Sequence, residues 1–185
     1  VSGLTDAVEV AAGNDHSCAR RANGTVVCWG RGDLIPGGAE NQLVPISIEG
    51  ITSAVDIAVG RSHTCARMAS GTLVCWGSNS DGQLGDGTYT HRVTPSVVSG
   101  LTDAVEVSAG DEHTCARRAS GALLCWGYNL YGQVGDNTRT QRAMDRGGKF
   151  GREAAEQVCP AFCTMALMTM GTAASRSASA KMICR

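Results

Sequence analysis

The residues best suited to chemistry in this sequence are cysteines that recur in pairs, ten positions apart. In the stretch HTCARMASGTLVCWG, Cys65 and Cys75 flank an Ala-Ser-Gly tripeptide, and His63 precedes the first cysteine. Thiols and imidazoles can bind zinc, exchange disulfides or form a structural cross-link. Nearly the same stretch occurs three times, so its role is repeated. The three pairs are Cys18 with Cys28, Cys65 with Cys75, and Cys115 with Cys125.

The spacing predicts a β-hairpin register in which the two cysteines of a pair face each other. A three-residue hairpin loop commonly ends in a glycine in the left-handed region, which places the turn at residues 69–71. Centring the hairpin on Ser70 then puts Cys65 directly opposite Cys75. Opposed residues of antiparallel strands have Cα atoms about 4.5–5.5 Å apart, which suits a disulfide. We therefore predict three hairpin disulfides, each stabilising by roughly 2–3 kcal/mol in the chain-entropy model.

Two alternatives for the cysteines stay open at this point, namely buried free thiols and zinc binding. Zinc would need two further ligands on the same face of each hairpin, and zinc ligand pairs usually lie two to four residues apart. The register places His63 opposite Gly77, and His16 and His113 recur at the same position. We expect each imidazole to hydrogen-bond locally at the start of its strand. Three histidines on one metal are disfavoured, because equivalent residues of successive units would be dispersed around a ring.

The hairpin belongs to a longer repeat. LTDAVEVAAG at Leu4 reappears as ITSAVDIAVG at Ile51 and as LTDAVEVSAG at Leu101. A glycine-rich loop, SNSDGQLGDGTYTHR, follows the second hairpin and matches YNLYGQVGDNTRTQR after the third, while the first copy is degenerate. Each unit predicts four short strands, and helical periodicity is absent up to residue 142. This pattern predicts three four-stranded antiparallel blades of an all-β partial propeller, with repeats at 1–50, 51–100 and 101–142.

Composition narrows the classes of partner. The net charge is −1, so there is no electrostatic reason to expect nucleic acid or an anionic membrane surface. Nine cysteines would be metal ligands or catalytic groups in a reducing cytosol, and paired in an oxidising compartment. No apolar run approaches the roughly 18 residues of a membrane helix.

Recurring charged residues invite catalytic or metal-binding interpretations that the spacing does not favour. Three carboxylates in the first strand of each unit have no partner that the sequence identifies, and we interpret them as structural charges. Three arginines beside the hairpin turn are expected to be solvated. Asp86 and Asp136 are expected to bond turn backbone, since the loop lacks EF-hand spacing and a closing Glu for calcium. The first two sets are Glu9, Asp56 and Glu106, and Arg20, Arg67 and Arg117.

The motif AGxxHTCAxxxxGxxxCWGxNxxGQLGDGT resembles the repeat of the regulator of chromosome condensation family over residues 1–142. The resemblance implies a propeller that typically has seven blades. The cysteine pair departs from the eukaryotic exchange-factor version and is more similar to repeats in exported bacterial members. The matching residues of the third unit are Ala109, Gly110, His113, Gly121, Trp126, Gly127, Asn129, Gly132, Gln133, Gly135, Asp136 and Thr138.

The resemblance implies a non-enzymatic scaffold that presents loops to a protein partner, with no catalytic residue, metal or cofactor. The paired cysteines place it outside the cell, on the cell surface or in the periplasm. Guanine-nucleotide exchange on a small GTPase is the alternative function. A secreted enzyme inhibitor resembling β-lactamase inhibitory protein II is the second alternative.

Chain direction predicts which rim would bind. In an up-and-down blade, the turn after the first strand and the glycine-rich loop after the third emerge at the same rim. Loops on a rigid scaffold commonly carry binding residues, and we expect Tyr128 and Tyr131 to be anchors. The alternative is that these are merely solvated loops. The candidate partner-binding residues are Asn14, Asp15, Arg31, Arg61, Ser62, Ser80, Asp111, Glu112, Tyr128 and Tyr131.

Three blades do not close a ring, since propellers need at least about four. The open blade faces could be covered by self-association, by further blades of a longer protein, or by residues 143–185. The start at Val1, with no methionine or signal-like segment, suits a mature domain or an excised fragment. Residues 143–185 are expected to be an irregular or partly helical tail, and its abrupt onset also suits a shift of reading frame. The pairing of Cys159, Cys163 and Cys184 stays open.

Overall fold

Eleven strands form three antiparallel sheets in the computed structural model, which describes residues 1–36 and 40–144. Within each sheet, neighbouring strands follow one another in the sequence. We call the sheets blades 1, 2 and 3. Blade 1 comprises β1 (Ala7–Ala12), β2 (His16–Arg21), β3 (Val26–Gly30) and β4 (Gln42–Ser47). Blade 2 comprises β5 (Ala54–Val59), β6 (His63–Met68), β7 (Leu73–Gly77) and β8 (Arg92–Val97). Blade 3 comprises β9 (Ala104–Ala109), β10 (His113–Arg118) and β11 (Leu123–Gly127).

The all-β partial propeller that the repeat predicts is confirmed. Blades 1 and 2 have four strands each, and blade 3 has three strands in the described part of the chain, with an isolated bridge between Gly127 and Arg142 at its outer edge. A single 3-10 turn at Gly32–Leu34 is the only helical element of the described residues. In this same part of the chain, no helix has the length and hydropathy to cross a membrane. Residues 145–185, which hold almost all of the predicted irregular or partly helical tail and Cys159, Cys163 and Cys184, lie outside the described residues.

The hairpin register is the one that the spacing predicts. Cys65 lies opposite Cys75 and His63 opposite Gly77, and the same pairing holds in blades 1 and 3. The turn glycine of blade 2, Gly71, has a φ of 84°, as a left-handed hairpin position requires. The sulfur atoms of the three pairs are joined, with S–S distances of 2.12, 2.13 and 2.10 Å. The cysteines therefore cross-link β2 to β3, β6 to β7, and β10 to β11.

We expect these cross-links to be a measurable part of the stability. In a variant whose three tail cysteines are serine, the native protein should show no reactive thiol, and six after unfolding with reductant. Replacing Cys65 and Cys75 together by serine should lower the free energy of unfolding by roughly 2–3 kcal/mol, because the short loop is no longer closed in the unfolded chain. Thiol titration and denaturant unfolding measure the two effects. Six reactive thiols in the native, unreduced protein would contradict the assignment.

Both faces of the blade 2 hairpin are covered, because blade 2 is stacked between blades 1 and 3. The face that carries the cysteines, which we call the disulfide face, packs on the tryptophan face of the next blade. Trp76 of blade 2 joins the buried cluster of Cys18, Cys28 and Val26 on blade 1. Trp126 of blade 3 joins the equivalent cluster of blade 2. The apolar core thus lies between blades rather than on one side of a sheet, which explains why both strand faces are apolar.

The histidines bond across these contacts, so the expectation of a local hydrogen bond is wrong. His16 Nε2 lies 2.7 Å from Thr64 Oγ1 of the next blade, and His63 Nε2 lies 2.9 Å from Thr114 Oγ1. Glycine leaves the room for the ring, since a Cβ atom at Gly60 would lie 2.3 Å from His63 Cε1. The glycine and histidine of the AGxxHT motif therefore join each blade to the next.

The recurring carboxylates and arginines pair with each other, which corrects the interpretation of unpartnered carboxylates and solvated arginines. The separation of Arg20 Nε from Glu9 Oε2 is 2.7 Å, and that of Arg117 Nε from Glu106 Oε2 is 2.8 Å. Asp56 pairs with Arg67 at 3.4 Å in the same way. A bulge early in the first strand shifts its register and brings each carboxylate directly opposite its arginine. The prediction of a structural role for the carboxylates agrees with this geometry.

Candidate functional site

The two loop sets predicted to share a rim are joined to each other by backbone hydrogen bonds. In each blade, the residue after the third strand donates its N–H to a carbonyl of the turn after the first strand. These bonds join Arg31 to Asp15 at 2.8 Å, Ser78 to Ser62 at 2.7 Å, and Tyr128 to Glu112 at 2.9 Å. The rim is therefore one continuous surface built from both loop sets, as the chain direction predicts.

The glycine-rich loop is held rigid by a buried asparagine. The Asn79 side chain accepts a hydrogen bond from Leu84 N at 2.9 Å and donates to the carbonyls of Thr88 and Thr90 at 3.0 and 3.1 Å. Asn129 makes the same contacts in blade 3. Because both polar ends of the amide are satisfied by loop backbone, the asparagine holds the loop in a defined conformation.

Asp86 and Asp136 bond turn backbone, as predicted. Asp86 accepts hydrogen bonds from the N–H and the hydroxyl of Thr88 at 2.9 and 2.6 Å, and from Arg92 Nε at 3.0 Å. Burial alone would raise the pKa of this carboxyl, but these bonds outweigh it and lower the pKa below its ordinary value. The equivalent contacts lower the pKa of Asp136 to about 2. No three His, Cys, Asp or Glu side chains gather as a metal ion would require in residues 1–36 and 40–144.

Five of the predicted rim residues come together in one cleft between blades 2 and 3. The cleft has a volume of about 240 Å³. The Arg61 N–H donates to the carbonyl of Asp111 at 3.0 Å, and its guanidinium lies 3.7 Å from a Glu112 carboxylate oxygen. The rings of Tyr128 and Tyr131 meet edge to face with centroids 6.2 Å apart. A rigid aromatic pair beside mixed charges suits polar and apolar contacts with another protein.

The electrostatics of the cleft are slightly acidic around the aromatic pair. Partial desolvation, followed by the nearby Tyr131, Glu112 and Asp81, raises the pKa of Tyr128 above its ordinary value. Tyr128 therefore keeps its phenol proton and can donate a hydrogen bond. Tyr131 is 81% exposed and stands out from the surface.

The other predicted rim residues do not join this cleft. Arg31 pairs with Asp15 at 3.4 Å and with Asp33 at 2.7 Å in blade 1. The hydroxyl of Ser80 contacts its neighbour Asp81. Asn14 is exposed on the blade 1 turn, and Ser62 is half-buried beneath the rim.

Sequence reasoning missed three residues at the rim. His113 and Gln133 line the cleft, and Asp33 completes the ion pairs of Arg31. His113 and Gln133 belong to repeat motifs, so their recurrence pointed to a structural role. The spacing within one repeat does not show that these two residues line a cleft in blade 3, because that depends on which neighbours the blade has.

Comparison with known proteins agrees with this architecture. The family description "Regulator of chromosome condensation (RCC1) repeat" matches residues 7–34, 54–83 and 104–133, and a second description of the same repeat matches residues 70–117. A sequence search of curated proteins found no match.

Solved structures with a similar fold include yeast RCC1 (Prp20) bound to Kap60, with 24% identity and a TM-score of 0.64 over 73% of this chain and 34% of that chain. Human WBSCR16 has 23% identity and a TM-score of 0.66 over 75% of this chain and 38% of that chain. Prp20p from Saccharomyces cerevisiae has 23% identity and a TM-score of 0.64 over 78% and 34%, respectively. The chain thus spans about a third of the length of these solved proteins.

Proposed function

Because the chain belongs to the regulator of chromosome condensation (RCC1) repeat family, we propose that it is a propeller-type scaffold that binds a protein partner through its loop rim. The observation that carries this proposal is the cleft that joins Arg61, Asp111, Glu112, Tyr128 and Tyr131. Tyrosine and arginine are enriched where proteins bind each other, and here they stand on loops that internal hydrogen bonds hold in place. The solved yeast neighbours also point to protein partners, since yeast RCC1 (Prp20) was solved bound to Kap60 and Prp20p was described with its binding properties to Gsp1p and histones.

We propose that the scaffold has no catalytic chemistry of its own. The six hairpin cysteines are joined in pairs, so none is offered as a thiolate nucleophile. The imidazoles of His16 and His63 are buried and each faces a threonine hydroxyl of the next blade, Thr64 or Thr114. Binding without a cofactor is the function that these arrangements favour.

An oxidising compartment is part of the proposal. Three short-range disulfides persist outside the cell, on its surface or in the periplasm, and are rare in a reducing cytosol. This observation favours an exported bacterial scaffold over guanine-nucleotide exchange on an intracellular GTPase. Inhibition of an enzyme by a secreted propeller, as in β-lactamase inhibitory protein II, would use the same rim and is one form of the proposed binding.

The two tyrosines give the sharpest test of the rim. The chain is immobilised and exposed to secreted and to cytosolic fractions, and any captured protein is then titrated against wild type and variants. Replacing Tyr128 and Tyr131 together by alanine should weaken its affinity at least tenfold, because the aromatic anchors are lost. Leu130→Ala is the matched control, since Leu130 is an exposed apolar residue of the same loop and lies between the two tyrosines in the sequence. Unchanged affinity of the double variant would reject the anchor assignment.

A further inference from the structure

The hairpin turn of blade 1 carries a sequence pattern that the turns of blades 2 and 3 lack. Asn23-Gly24-Thr25 reads Asn-x-Thr with no proline in the middle, which is the acceptor pattern for N-linked glycosylation. No other asparagine of the sequence begins this pattern. The equivalent turns read Ser70-Gly71-Thr72 and Ser120-Gly121-Ala122. The three turns therefore share the glycine and differ at the two positions that the pattern requires.

Asn23 is exposed at the tip of its turn, and this exposure does not depend on an uncovered blade face. Ser70 holds the same place in blade 2, which is stacked between blades 1 and 3, and Ser70 is exposed as well. Neighbouring blades cover the strands of a hairpin and leave the tip of its turn open to solvent. The Asn23 side chain is therefore accessible to an enzyme in the folded protein.

The turn binds the oxygen of the Asn23 amide and leaves its nitrogen available. Asn23 Oδ1 accepts hydrogen bonds from the Thr25 N–H at 3.1 Å and from the Thr25 hydroxyl at 2.7 Å. A backbone N–H can only donate, so the amide atom that faces it is the oxygen. Among the described residues, no hydrogen bond engages Asn23 Nδ2. Two donors on the oxygen stabilise the negative charge that develops there as Nδ2 loses a proton, so the turn favours reaction at the nitrogen.

The same turn disfavours deamidation, the reaction that converts an asparagine followed by glycine to aspartate. In that reaction the backbone nitrogen of Gly24 attacks the side-chain carbonyl carbon of Asn23, and ammonia leaves. Here the Gly24 N–H donates to the Arg21 carbonyl at 2.9 Å, and the Gly24 carbonyl accepts the Ala54 N–H of blade 2 at 2.9 Å. Both bonds hold the Gly24 backbone in the turn, so the Asn23 amide is retained for modification.

We propose that Asn23 is an acceptor site for an N-linked sugar. The donor is a sugar activated by phosphate, either a nucleotide sugar or a lipid-linked oligosaccharide, and a glycosyltransferase catalyses the transfer. Asn23 Nδ2 forms a bond to the anomeric carbon of the sugar. The bond from that carbon to the phosphate oxygen breaks, and the phosphate group leaves with the electron pair. The proton from Nδ2 passes to a basic group of the transferase.

The site lies away from the cleft proposed to bind a protein partner. Each hairpin turn joins the second strand of a blade to the third, so it lies at the rim opposite the glycine-rich loops. A sugar on Asn23 therefore leaves the cleft accessible. Sugar acceptance goes beyond the proposed binding function, and the two inferences fail independently, because one is read from the mass of the chain and the other from its affinity for a partner.

Glycosylation of the folded full chain in vitro tests the proposal. One arm supplies UDP-glucose with a soluble N-glycosyltransferase, and the other supplies a lipid-linked oligosaccharide with a membrane oligosaccharyltransferase. Intact mass and peptide mapping should show one sugar chain on wild type, at Asn23, and the arm that gives it identifies the donor. Asn23→Gln and Thr25→Ala should take none, whereas Thr25→Ser keeps the hydroxyl and should still be modified.

The other two turns offer matched variants. Ser70→Asn places Asn-Gly-Thr in blade 2, in a turn of the same kind, since the Thr72 N–H already donates to Ser70 Oγ at 3.3 Å. This variant should gain a second sugar chain. Ser120→Asn places an asparagine in the equivalent turn of blade 3, but Ala122 supplies no hydroxyl there, so this variant should gain none beyond the one on Asn23.

Three results would overturn the proposal. The first is a folded wild-type chain that takes no sugar in either arm, including one in which Asn23 is only deamidated. The second is a sugar that Asn23→Gln leaves in place. The third is transfer that occurs only after the chain has been reduced and unfolded, because the folded turn is then not an acceptor. Circular dichroism of each variant should match wild type, since the substituted turn positions are not part of the buried core.

Discussion

Replacing Trp126 by alanine is expected to lower the free energy of unfolding by about 3–5 kcal/mol, the range for a fully buried large aromatic side chain. The indole is completely buried between blades 2 and 3, where it packs with Leu73, Leu84 and Val98. Its removal leaves a cavity. The hairpin of blade 2 is cross-linked by a disulfide, so it cannot readily move to fill that cavity. Denaturant unfolding followed by circular dichroism measures the loss.

A second part of the Trp126 effect is polar. Its Nε1–H donates to the carbonyl of Gln83 at 2.9 Å, and Gly85 packs so closely that a Cβ atom there would lie 2.7 Å from that nitrogen. Trp76 makes the same apolar contact with blade 1, but its Nε1 is buried and has no partner among the described residues. The degenerate loop of blade 1 lacks the GQLGD sequence that supplies the Gln83 carbonyl. The glycine-rich loop therefore has a structural role toward the next blade as well as a place on the rim.

Trp29→Ala is the matched control for the Trp126 prediction. Trp29 occupies the same CWG position in blade 1, but it is only half-buried because no blade of this chain covers that face in the described structure. Its loss should cost clearly less than that of Trp126 when both are measured at concentrations where the chain is monomeric. An equal cost would contradict the account in which the contact between blades stabilises this side chain.

Acidification is the second change with a large expected effect, because His63 is buried and neutral. Thr114 donates its hydroxyl proton to the Gln83 carbonyl at 2.8 Å, so the hydrogen between His63 and Thr114 resides on His63 Nε2. His63 Nδ1 is then unprotonated and buried with no partner among the described residues. Burial, together with the neighbouring His16 and His113, lowers the pKa of His63 to about 3.

The sign of the pH effect follows from this depressed pKa. Below the ordinary histidine pKa of about 6.5, the unfolded chain binds a proton that the folded chain excludes, so stability falls as the pH falls. The loss is about 1.4 kcal/mol for each pH unit between the two pKa values, or about 3 kcal/mol at pH 4 relative to pH 7. Equilibrium unfolding at a series of pH values measures it. The carboxyls with lowered pKa values, Asp86 and Asp136, lose their contribution as the pH falls through about 4, at the lower end of this window, and Asp56, whose pKa burial raises, acts in the opposite sense there.

His63→Gln separates the titration from the packing. The amide keeps a donor for the Thr114 hydroxyl and removes the ionisable ring, so the variant should be less stable at pH 7 but should lose less stability between pH 6.5 and pH 4. His16→Gln is the companion variant, since burial also lowers the pKa of His16. A His63→Gln protein with an unchanged slope in this window would show that His63 does not carry the pH dependence.

Much of the fold was accessible from the sequence because each hairpin is local. The turn at Ala69-Ser70-Gly71 and the ten-residue cysteine spacing determine the pairing of β6 with β7, and the same arithmetic holds in the other two blades. Strand alternation also predicted that Trp76 and the cysteines lie on opposite faces, and the two core clusters divide them so. The shared rim followed from chain direction alone.

The carboxylate–arginine pairs were missed because they depend on how the first strand of each blade pairs with the second. No turn of a known type joins these two strands, so the sequence does not specify their register. Glu9 lies opposite Arg20 only after the bulge near Ala7 shifts the inner strand, and the three-residue connection between β1 and β2 does not by itself specify this shift. The pairing of the neighbouring cysteines was predictable by contrast, since a glycine marked the centre of that hairpin.

The sequence by itself determined the repeat, the strands, the hairpin register and the cysteine pairing, because these depend on short-range backbone geometry that spacing encodes. Only the tertiary structure decided what lies between the blades. The stacking of one blade on the next sets His63 against Thr114 and Trp126 against Gln83, and it leaves Leu123 exposed although the near-identical Leu73 is buried. The physical reason is that burial and cross-blade hydrogen bonds depend on which face meets which neighbour. Equivalent residues therefore acquire different environments from their place in the array.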